Sequence, residues 1–521
     1  MGSRGRCASS HLHRGRPDSH GTNAGNAATR QRQRWATAQR HSSAALVIFR
    51  WNGRPIEARP GDTIAIALWR HGIRAVGYSR KRHWPLGAAG HVVQGALVTV
   101  DGRPHVHADH AVVVSGMHVW QQGGWPHPRF DLLKLARRLP QRWTRGGFER
   151  PYWLRSGTKR FELWERLLMS LAGEVDPPKI RVPVPTGLRW DGDVVVVGGG
   201  PAGVRAANTA AAAGQKVCLV SRSRQAESYA SSLGHSSSAI DSRIVTLFGY
   251  EAAGIYRRGT VVLAVPRQPE AAASTLVCRQ LVIATGRESV APIVPGRDLP
   301  GVFDSRTALR WAPALRSDLG PTVVVGTGAE SQVADALRRH GVDIIALSAA
   351  GALREILGRG AVRGARFDGG TAACRSLVHA GPWVTNNALA FQASASGTLR
   401  LTQSSLPPNV QVAGSAADAN ETLALRPDVD LSRVSVCACM DVSAQEIVGC
   451  LDNGERHVEE IKRSTACGMG PCQGFPCWET MRSVMSSATG SPISDVPTSR
   501  PPCRGITVAQ AAGLDGLIDL E

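Results

Sequence analysis

A short glycine-rich turn between a β-branched strand and an alanine-rich helix constrains the fold of this chain more than any other feature. The turn is Gly198–Gly203; the run Asp193–Val197 precedes it, and a helix continues from it to about Ala213. Another β-branched run, Val217–Val220, follows that helix. Strand, glycine turn, helix and strand in this order are typical of the βαβ unit of a doubly wound sheet, so the sequence predicts an α/β fold.

The glycine spacing of this turn suits a bound dinucleotide. Gly198 permits the tight turn, Gly200 lets the backbone approach a pyrophosphate, and Gly203 lets the helix pack closely on the strand. The free N–H groups at the start of the helix point at the phosphates. The alternative is a glycine-rich turn that holds no ligand. The candidate cofactor-binding residues of the turn are Gly198, Gly200, Pro201, Ala202 and Gly203.

The strand after this helix ends without the acidic residue that usually binds a ribose hydroxyl. Ser221 stands at that position, and Arg222 follows it. A dinucleotide would therefore lose one strong hydrogen bond here, and Arg222 would suit a phosphorylated ribose. The residues leave the identity of the cofactor open.

A second, weaker nucleotide-binding pattern begins at about residue 321. The strand Thr322–Val325 leads into the turn Gly326–Ala329, a helix to about His340 and the strand Asp343–Leu347. This turn lacks the third glycine, so an empty unit and an occupied one are equally consistent with it. Between the two patterns lies a buried strand that ends in Thr-Gly, at Leu281–Gly286.

Cysteines are concentrated near the end of the chain: of eleven, seven lie between residues 437 and 503. Since no apolar segment typical of a secretory signal is present, we expect a reducing, cytoplasmic compartment and metal ligation rather than disulfides. A helix that starts with the capping box of Ser443 and Glu446, and two more near Val458–Ser464 and Trp478–Met485, are predicted around these cysteines.

The N-terminal third divides into three segments of different character. Residues 1–44 are rich in Arg and Ser and nearly free of acids; we expect them to be disordered, and they resemble an organellar transit peptide or precede a misassigned start. A strand–turn–strand–helix pattern, in which Asp62 and Thr63 cap the helix, predicts a small β-grasp domain over residues 45–117. Residues 118–190, rich in Trp, Arg and Pro, are interpreted as a connecting segment.

Charge and hydropathy exclude several classes of protein. The formal net charge is +20, but no nucleic-acid-binding motif accompanies the scattered arginines, so we expect no nucleic-acid partner. No stretch approaches the ~18 apolar residues of a membrane-spanning helix. No Ser/His/Asp or paired-carboxylate pattern indicates hydrolysis, and the catalytic residues stay unassigned.

Taken together, the paired nucleotide patterns resemble the flavoprotein disulfide-reductase architecture. The segment Pro295–Val302, Pro-Gly-Arg-Asp-Leu-Pro-Gly-Val, is similar to a signature of the α subunits of heterotetrameric sarcosine oxidase. Relatives of that family include opine oxidase, dye-linked proline dehydrogenase and the hydrogen cyanide synthase subunit. The resemblance covers about residues 45–490. It implies FAD as the cofactor, with NAD as the alternative, and it adds the contacts Thr285, Gly286, Gly414 and Ser415.

The cysteine pattern resembles the bacterioferritin-associated-ferredoxin-like 2Fe-2S domain. A Cys-x-Cys pair, thirty-two residues and a Cys-x-x-x-x-Cys pair supply four thiolates, two for each iron. A structural zinc site accepts the same donors, but the Cys-x-x-Cys knuckles that zinc prefers are absent. Cys467 is a fifth candidate. The predicted ligands are Cys437, Cys439, Cys472 and Cys477.

Two departures from the resembled family bear on the cofactors. Val93, Ala96 and Asp109 stand where ferredoxin-type relatives carry cluster cysteines, so the β-grasp domain cannot hold a cysteine-ligated cluster. The Gly-Asp that contacts the flavin in the family is Gly414-Ser415 here.

The resemblance implies an oxidoreductase subunit that relays electrons in the oxidation of an amine or amino acid. The substrate would react at a flavin on an amine-oxidase-like β subunit of a hetero-oligomer. The alternative is a non-catalytic scaffold with degenerate cofactor sites. The predicted layout is 1–44 disordered, 45–117 β-grasp, 118–190 connecting, 191–430 nucleotide-binding with a second unit at about 321–400, 431–490 2Fe-2S domain, and 491–521 tail.

Overall fold

The computed structural model describes residues 46–88, 97–124, 126–127, 130–138, 157–171, 186–268, 271–394, 405–421, 423 and 425–514. All elements below belong to the compact unit that begins at Val47. The predictions made for residues 1–44, and for much of the connecting segment, lie outside the described residues. Within the described ranges, no helix has the length and apolar character needed to cross a membrane.

The N-terminal domain is a five-stranded mixed sheet with one helix packed against it, in the strand order β2-β1-β7-β5-β6. The helix begins where the Thr63 hydroxyl accepts the backbone N–H of Ile66, as the sequence predicts. Its residues from Ile64 to Trp69 are all buried. The elements are β1 (Val47–Trp51), β2 (Arg54–Ala58), α1 (Ile64–Arg70), β3 (Ala75–Tyr78), β4 (Pro85–Gly87), β5 (Leu97–Val100), β6 (Arg103–His107) and β7 (His118–Gln121).

The connecting segment contributes two short strands and one helix to the described structure. The helix spans three more residues at its start than the sequence pattern predicts. These elements are β8 (Pro126–His127), β9 (Phe130–Asp131) and α2 (Lys159–Leu171).

The first nucleotide unit is a seven-stranded sheet with a parallel half and an antiparallel half. Four neighbours, β12-β11-β10-β15, are parallel, and the last strand of the unit pairs with the end of β15. The elements are β10 (Leu188–Val197), α3 (Pro201–Ala212), β11 (Val217–Ser221), α4 (Ser228–Ser232), β12 (Val245–Phe248), β13 (Tyr250–Tyr256), β14 (Val261–Pro266), β15 (Ser274–Ile283) and β25 (Val410–Val412).

The second nucleotide unit is a four-stranded parallel sheet, β17-β23-β18-β19, with a separate three-stranded meander. Its elements are β16 (Arg287–Ser289), β17 (Val302–Asp304), α5 (Ser305–Leu315), β18 (Thr322–Gly326), α6 (Glu330–Arg339), β19 (Ile344–Ala349), β20 (Leu353–Gly358), β21 (Val362–Phe367), β22 (Gly370–Ala372), β23 (Ser376–Ala380), β24 (Trp383–Thr385) and α7 (Ala388–Ala393).

The C-terminal domain is built from three helices around the cysteines. The capping box of Ser443 and Glu446 is present, with both hydrogen bonds formed. The elements are β26 (Ser435–Cys437), β27 (Val442–Ser443), α8 (Ala444–Asp452), α9 (Val458–Thr465), α10 (Cys477–Thr489) and α11 (Val508–Ala512).

The segment after α10 does more than the sequence suggests for a tail. It returns to the first nucleotide sheet, where the backbone N–H of Cys503 donates to the carbonyl of Ala253 over 2.6 Å. The Gln510 amide donates to the carbonyl of Ala271 over 3.2 Å. Such pairing depends on partners more than 200 residues away, so no local pattern could announce it.

The N-terminal domain and the second nucleotide unit share one hydrophobic core. Trp69 of α1 meets Phe303 and Trp311 edge-on, at ring-centroid separations of 5.1 Å and 6.0 Å. Beside them the buried carboxylate of Asp109 accepts hydrogen bonds from Arg310 and from the indole N–H of Trp311. This contact fixes the β-grasp domain onto the nucleotide-binding body.

Candidate functional site

The glycine turn after β10 has the geometry that its sequence predicts. Gly198 lies at φ +120°, and a Cβ added there would stand 2.1 Å from the carbonyl oxygen of Ala284. A Cβ on Gly203 would stand 1.8 Å from the carbonyl oxygen of Gly198. A Cβ on Gly200 would meet nothing within 4 Å. Gly198 and Gly203 are therefore fixed by packing, whereas the backbone at Gly200 faces open space.

This open space is a cavity of about 550 Å³ at the carboxyl ends of β10, β11 and β15. Its volume falls within the range of small-molecule and cofactor sites. Gly203 is not in the wall and supports the turn from behind. The predicted residues that do line the cavity are Gly198, Gly200, Pro201, Ala202, Ser221, Arg222, Thr285, Gly286, Gly414 and Ser415.

The cavity wall offers hydrogen-bonding groups that await a partner. Helix α3 starts at Gly200 without a side-chain cap, so the N–H groups of its first turn are left for a ligand. The hydroxyl of Thr285 is buried and has no hydrogen-bond partner among the described residues. Gly414, at φ +67°, would place a Cβ 2.4 Å from the Cβ of Ala202. These features fit a dinucleotide with its pyrophosphate at the start of α3.

Arg222 is already engaged and is therefore not poised for a ribose phosphate. Its guanidinium lies 2.5 Å from a carboxylate oxygen of Glu288 and 3.7 Å from one of Glu251. Arg504, from the returning C-terminal segment, binds Glu251 over 2.7 Å. Burial opposes the ionisation of Glu251, but Arg504 and Arg222 outweigh it and lower its pKa to about 2.

The structure also brings residues to the cavity that the sequence analysis did not identify. Glu227 comes from the loop after β11, and Cys503 and Arg504 come from the segment assigned as a tail. For Glu227 the available signal was an acidic residue just past the strand end where an acid was missing. For the other two no local signal exists.

The turn of the second nucleotide unit is closed by its own chain. A carboxylate oxygen of Glu330 accepts the backbone N–H of Gly328 over 2.8 Å, and a Cβ on Gly326 would stand 2.6 Å from that oxygen. An acidic group thus occupies the amide that a phosphate would use. The geometry favours the empty alternative for this unit.

The predicted cluster ligands are gathered at one buried point. The Sγ atoms of Cys439 and Cys472 are 3.4 Å apart, and those of Cys472 and Cys477 are 3.5 Å apart. Cys437 lies 3.6 Å from Cys439 and 3.9 Å from Cys472. All four are at most 2 % exposed. No disulfide links any of the cysteines that the structure describes.

Cys467 lies in the same cluster, so the geometry brings five thiols together. Hydrogen bonds from Cys439, Cys467 and Cys472 lower the pKa of the Cys437 thiol. The backbone N–H of Gly468 also donates to the Cys437 sulfur, over 3.4 Å. Four buried thiolates with backbone donors nearby fit a 2Fe-2S cluster.

The signature segment at residues 295–302 joins the cysteine domain to the nucleotide units. The buried Arg297 guanidinium donates to the Thr480 hydroxyl over 3.1 Å and to the Ser435 carbonyl over 3.3 Å. It also donates to the carbonyl of Ala291 over 2.6 Å. Burial lowers the pKa of Arg297 to about 10. The motif therefore acts as a joint between the two sites.

The nucleotide cavity and the cysteine loop share a wall. A small second cavity of about 30 Å³ is lined by residues of the loop that carries the last two cysteines, among them Gly474 and Trp478. Asn386 and Ala388, at the start of α7, line both cavities. A single stretch of chain separates the two candidate cofactor sites.

Three family models match the chain. Residues 192–361 match the pyridine nucleotide-disulphide oxidoreductase model, and residues 435–487 match the BFD-like [2Fe-2S] binding domain. Residues 44–124 match a 2Fe-2S iron-sulfur cluster binding domain, although this range contains no cysteine. The N-terminal match thus concerns the fold, whereas the C-terminal one includes the ligands.

Among curated proteins, the α subunit of sarcosine oxidase from Rhizobium meliloti (strain 1021) is 27% identical over 342 residues, which are 57% of this chain and 34% of that protein. A second relative, one of the subunits of opine oxidase from the same organism, is 36% identical over 83 residues, 16% of this chain and 18% of that protein. The chain therefore matches about a third or less of the length of these relatives.

Among solved structures, L-proline dehydrogenase from P. horikoshii covers 90% of this chain and 98% of its own, with a TM-score of 0.67 at 19% sequence identity. That likeness shows the fold. The matches confirm the predicted α/β architecture, in which paired disulfide-reductase-like units lie between a ferredoxin-like and a BFD-like domain, and they indicate a nucleotide of the FAD or NAD type and a 2Fe-2S cluster as cofactors. The chain is thus a homologue of the α subunits of sarcosine and opine oxidases.

Proposed function

We propose that this chain relays electrons between a dinucleotide, bound in the cavity beside Gly200, and a 2Fe-2S cluster held by the C-terminal cysteines. The observation that carries the proposal is the shared wall: Asn386 and Ala388 line both the nucleotide cavity and the pocket of the cysteine loop. Two redox groups separated by one segment of chain can exchange electrons without a moving carrier.

The residues of this chain bind and orient rather than perform acid–base chemistry. When bound, a flavin or nicotinamide exchanges electron pairs, and a 2Fe-2S cluster passes single electrons. The start of α3 would hold the pyrophosphate, and Thr285 would offer its unpartnered hydroxyl to the rest of the dinucleotide. Arg297 keeps the cysteine domain seated on the nucleotide units.

The four ligands we assign are Cys437, Cys439, Cys472 and Cys477, and Cys467 would stay outside the ligand set. These four supply two thiolates for each iron through the Cys-x-Cys and Cys-x-x-x-x-Cys pairs. Cys467 differs from them in its backbone, because its carbonyl accepts the indole N–H of Trp478 over 3.0 Å. That bond ties the residue to α10.

The substrate we propose is an amine or an amino acid, oxidised at a flavin on a separate, amine-oxidase-like subunit. Support comes from the relatives, which are named as subunits of sarcosine and opine oxidases, and from the proline dehydrogenase fold. The cytoplasm is the compartment we propose, because the cluster thiols need reducing conditions to remain free of disulfides.

Spectroscopy of the purified chain tests the relay. We expect flavin or nicotinamide absorption together with the broad iron–sulfur envelope, two irons and two sulfides per chain, and a rhombic electron paramagnetic resonance signal after anaerobic reduction. A colourless chain with bound zinc would support the zinc alternative, and one without metal or nucleotide would support a scaffold. Co-purification with a flavin-containing chain tests the partner.

Gly200→Val separates the nucleotide from the fold. Gly200 lies at φ −80°, which any residue adopts, and no atom stands within 4 Å of the added Cβ. The side chain would fill the space of the pyrophosphate, so we expect at least a hundredfold weaker binding of ADP by calorimetry, with iron content unchanged. Gly351→Val, in the second unit and equally unobstructed, is the matched control. Retention of tight ADP binding in Gly200→Val would contradict the placement of the cofactor.

A further inference from the structure

The loop after β11 carries a buried carboxylate that nothing described so far employs. Glu227 is 4 % exposed and lines the nucleotide cavity. Its Oε2 accepts the backbone N–H of Ser238 over 3.0 Å. Its Oε1 is buried and has no hydrogen-bond partner among the described residues. A buried carboxylate oxygen without a donor is unfavourable, so this atom calls for a ligand that brings one.

The backbone places this carboxylate beside the glycine turn. The N–H of Glu227 donates to the carbonyl of Gly199 over 2.6 Å. A Cβ on Gly199 would stand 2.6 Å from the hydroxyl of Ser221 and 3.9 Å from the Cα of Ala226. The loop thus folds over the turn at the strand end where the ribose-binding acid is missing. Glu227 itself is held at φ +49°, a conformation that fixes its direction.

We propose that Glu227 replaces the missing strand-end acid and accepts hydrogen bonds from the 2′- and 3′-hydroxyls of an adenosine ribose. This inference rests on the proposed dinucleotide site and adds the residue that binds its ribose. Ser221 cannot take the role as well, because its hydroxyl oxygen accepts the backbone N–H of Ser223 and offers no charge.

The same arrangement selects against a phosphorylated ribose. A 2′-phosphate would meet the carboxylate of Glu227, and like charges at contact repel strongly in a dry site. The one cation at the strand end, Arg222, is bound by Glu288 and Glu251. The cavity therefore takes FAD or NAD and rejects NADP.

Calorimetric titration of the full chain, stripped of any nucleotide that co-purifies, tests the role of Glu227. We expect the wild type to bind ADP about tenfold more tightly than 2′,3′-dideoxy-ADP, and to bind adenosine 2′,5′-bisphosphate more weakly than ADP. Glu227→Gln keeps the shape and the bond to Ser238 but loses the charge. It should bind ADP about tenfold more weakly and no longer distinguish it from the dideoxy compound.

Each outcome separates the two levels of the argument. Glu57→Gln, an exposed carboxylate on β2, is the control and should leave both affinities unchanged. If the wild type does not bind ADP at all, the proposed function fails. If it binds ADP but ignores the ribose hydroxyls, or if a folded Glu227→Gln binds ADP like the wild type, this inference alone is overturned. The wild-type comparison needs no variant, so misfolding of Glu227→Gln does not leave the question open.

Discussion

The two ends of this chain both match 2Fe-2S domains, yet they have opposite inventories of ligands. The N-terminal match, residues 44–124, contains no cysteine, whereas the C-terminal match, residues 435–487, buries a cluster of them. At the N-terminal end a position expected for a ligand is Asp109, which binds Arg310 and Trp311 of the second nucleotide unit. A ferredoxin-like fold can thus persist as a docking element after its ligands are gone.

The sharpest way to break this comparison is to remove one C-terminal thiol. Cys472→Ser should abolish the iron–sulfur absorption entirely and leave less than a tenth of the wild-type iron, because its sulfur lies within 4 Å of three other thiols. The readouts are colorimetric iron and sulfide assays.

Two matched variants bracket this result. Cys450→Ser removes another buried cysteine of the same domain, and Cys467→Ser removes the fifth thiol of the cluster. Both should keep two irons per chain. More than two irons in the wild type, or full iron in Cys472→Ser, would show that the N-terminal domain or other ligands hold metal.

The docking role of the N-terminal domain is tested at Asp109. Asp109→Asn should lower the free energy of unfolding by about 2 kcal/mol, because the guanidinium of Arg310 loses a buried counter-charge. Denaturant titration followed by tryptophan fluorescence gives the stability, and iron content should not change. Loss of iron in this variant would mean that the position still serves the cluster.

The smallest effect is a pH dependence confined to the N-terminal side. Burial lowers the pKa of His107 to about 4, below its ordinary value of 6.5. Between these values the unfolded chain binds a proton that the folded chain does not, so stability is full above pH 6.5 and falls as the pH drops towards 4. We expect a loss of about 2 kcal/mol over this range. His107→Asn should flatten the profile; an unchanged slope would assign the dependence elsewhere.

Local patterns were sufficient to predict the elements that surround both sites. The glycine turn, the capping box at Ser443 and the spacing of the cysteines each state a short-range rule, and the structure follows all three. The strands β10 and β15 extend further toward their N-termini than predicted, because pairing between them continues beyond the apolar runs.

Long-range contacts explain what the sequence could not supply. The ion pairs that occupy Arg222 join it to Glu251 and Glu288 on other strands, so its apparent suitability for a phosphate disappears only in three dimensions. The closure of the second turn by Glu330 was readable in principle, because both partners lie within three residues. The arrival of Arg504 at the cavity had no readable precursor.

That late arrival has a consequence for the order in which the protein matures. Because Cys503 and Arg504 form part of the cavity wall, the nucleotide compartment is completed only once the ribosome has passed residue 504. The three helices that hold the thiols are all translated before that point. A nascent chain can therefore assemble its iron centre first, and insertion of the dinucleotide becomes the last step of biogenesis.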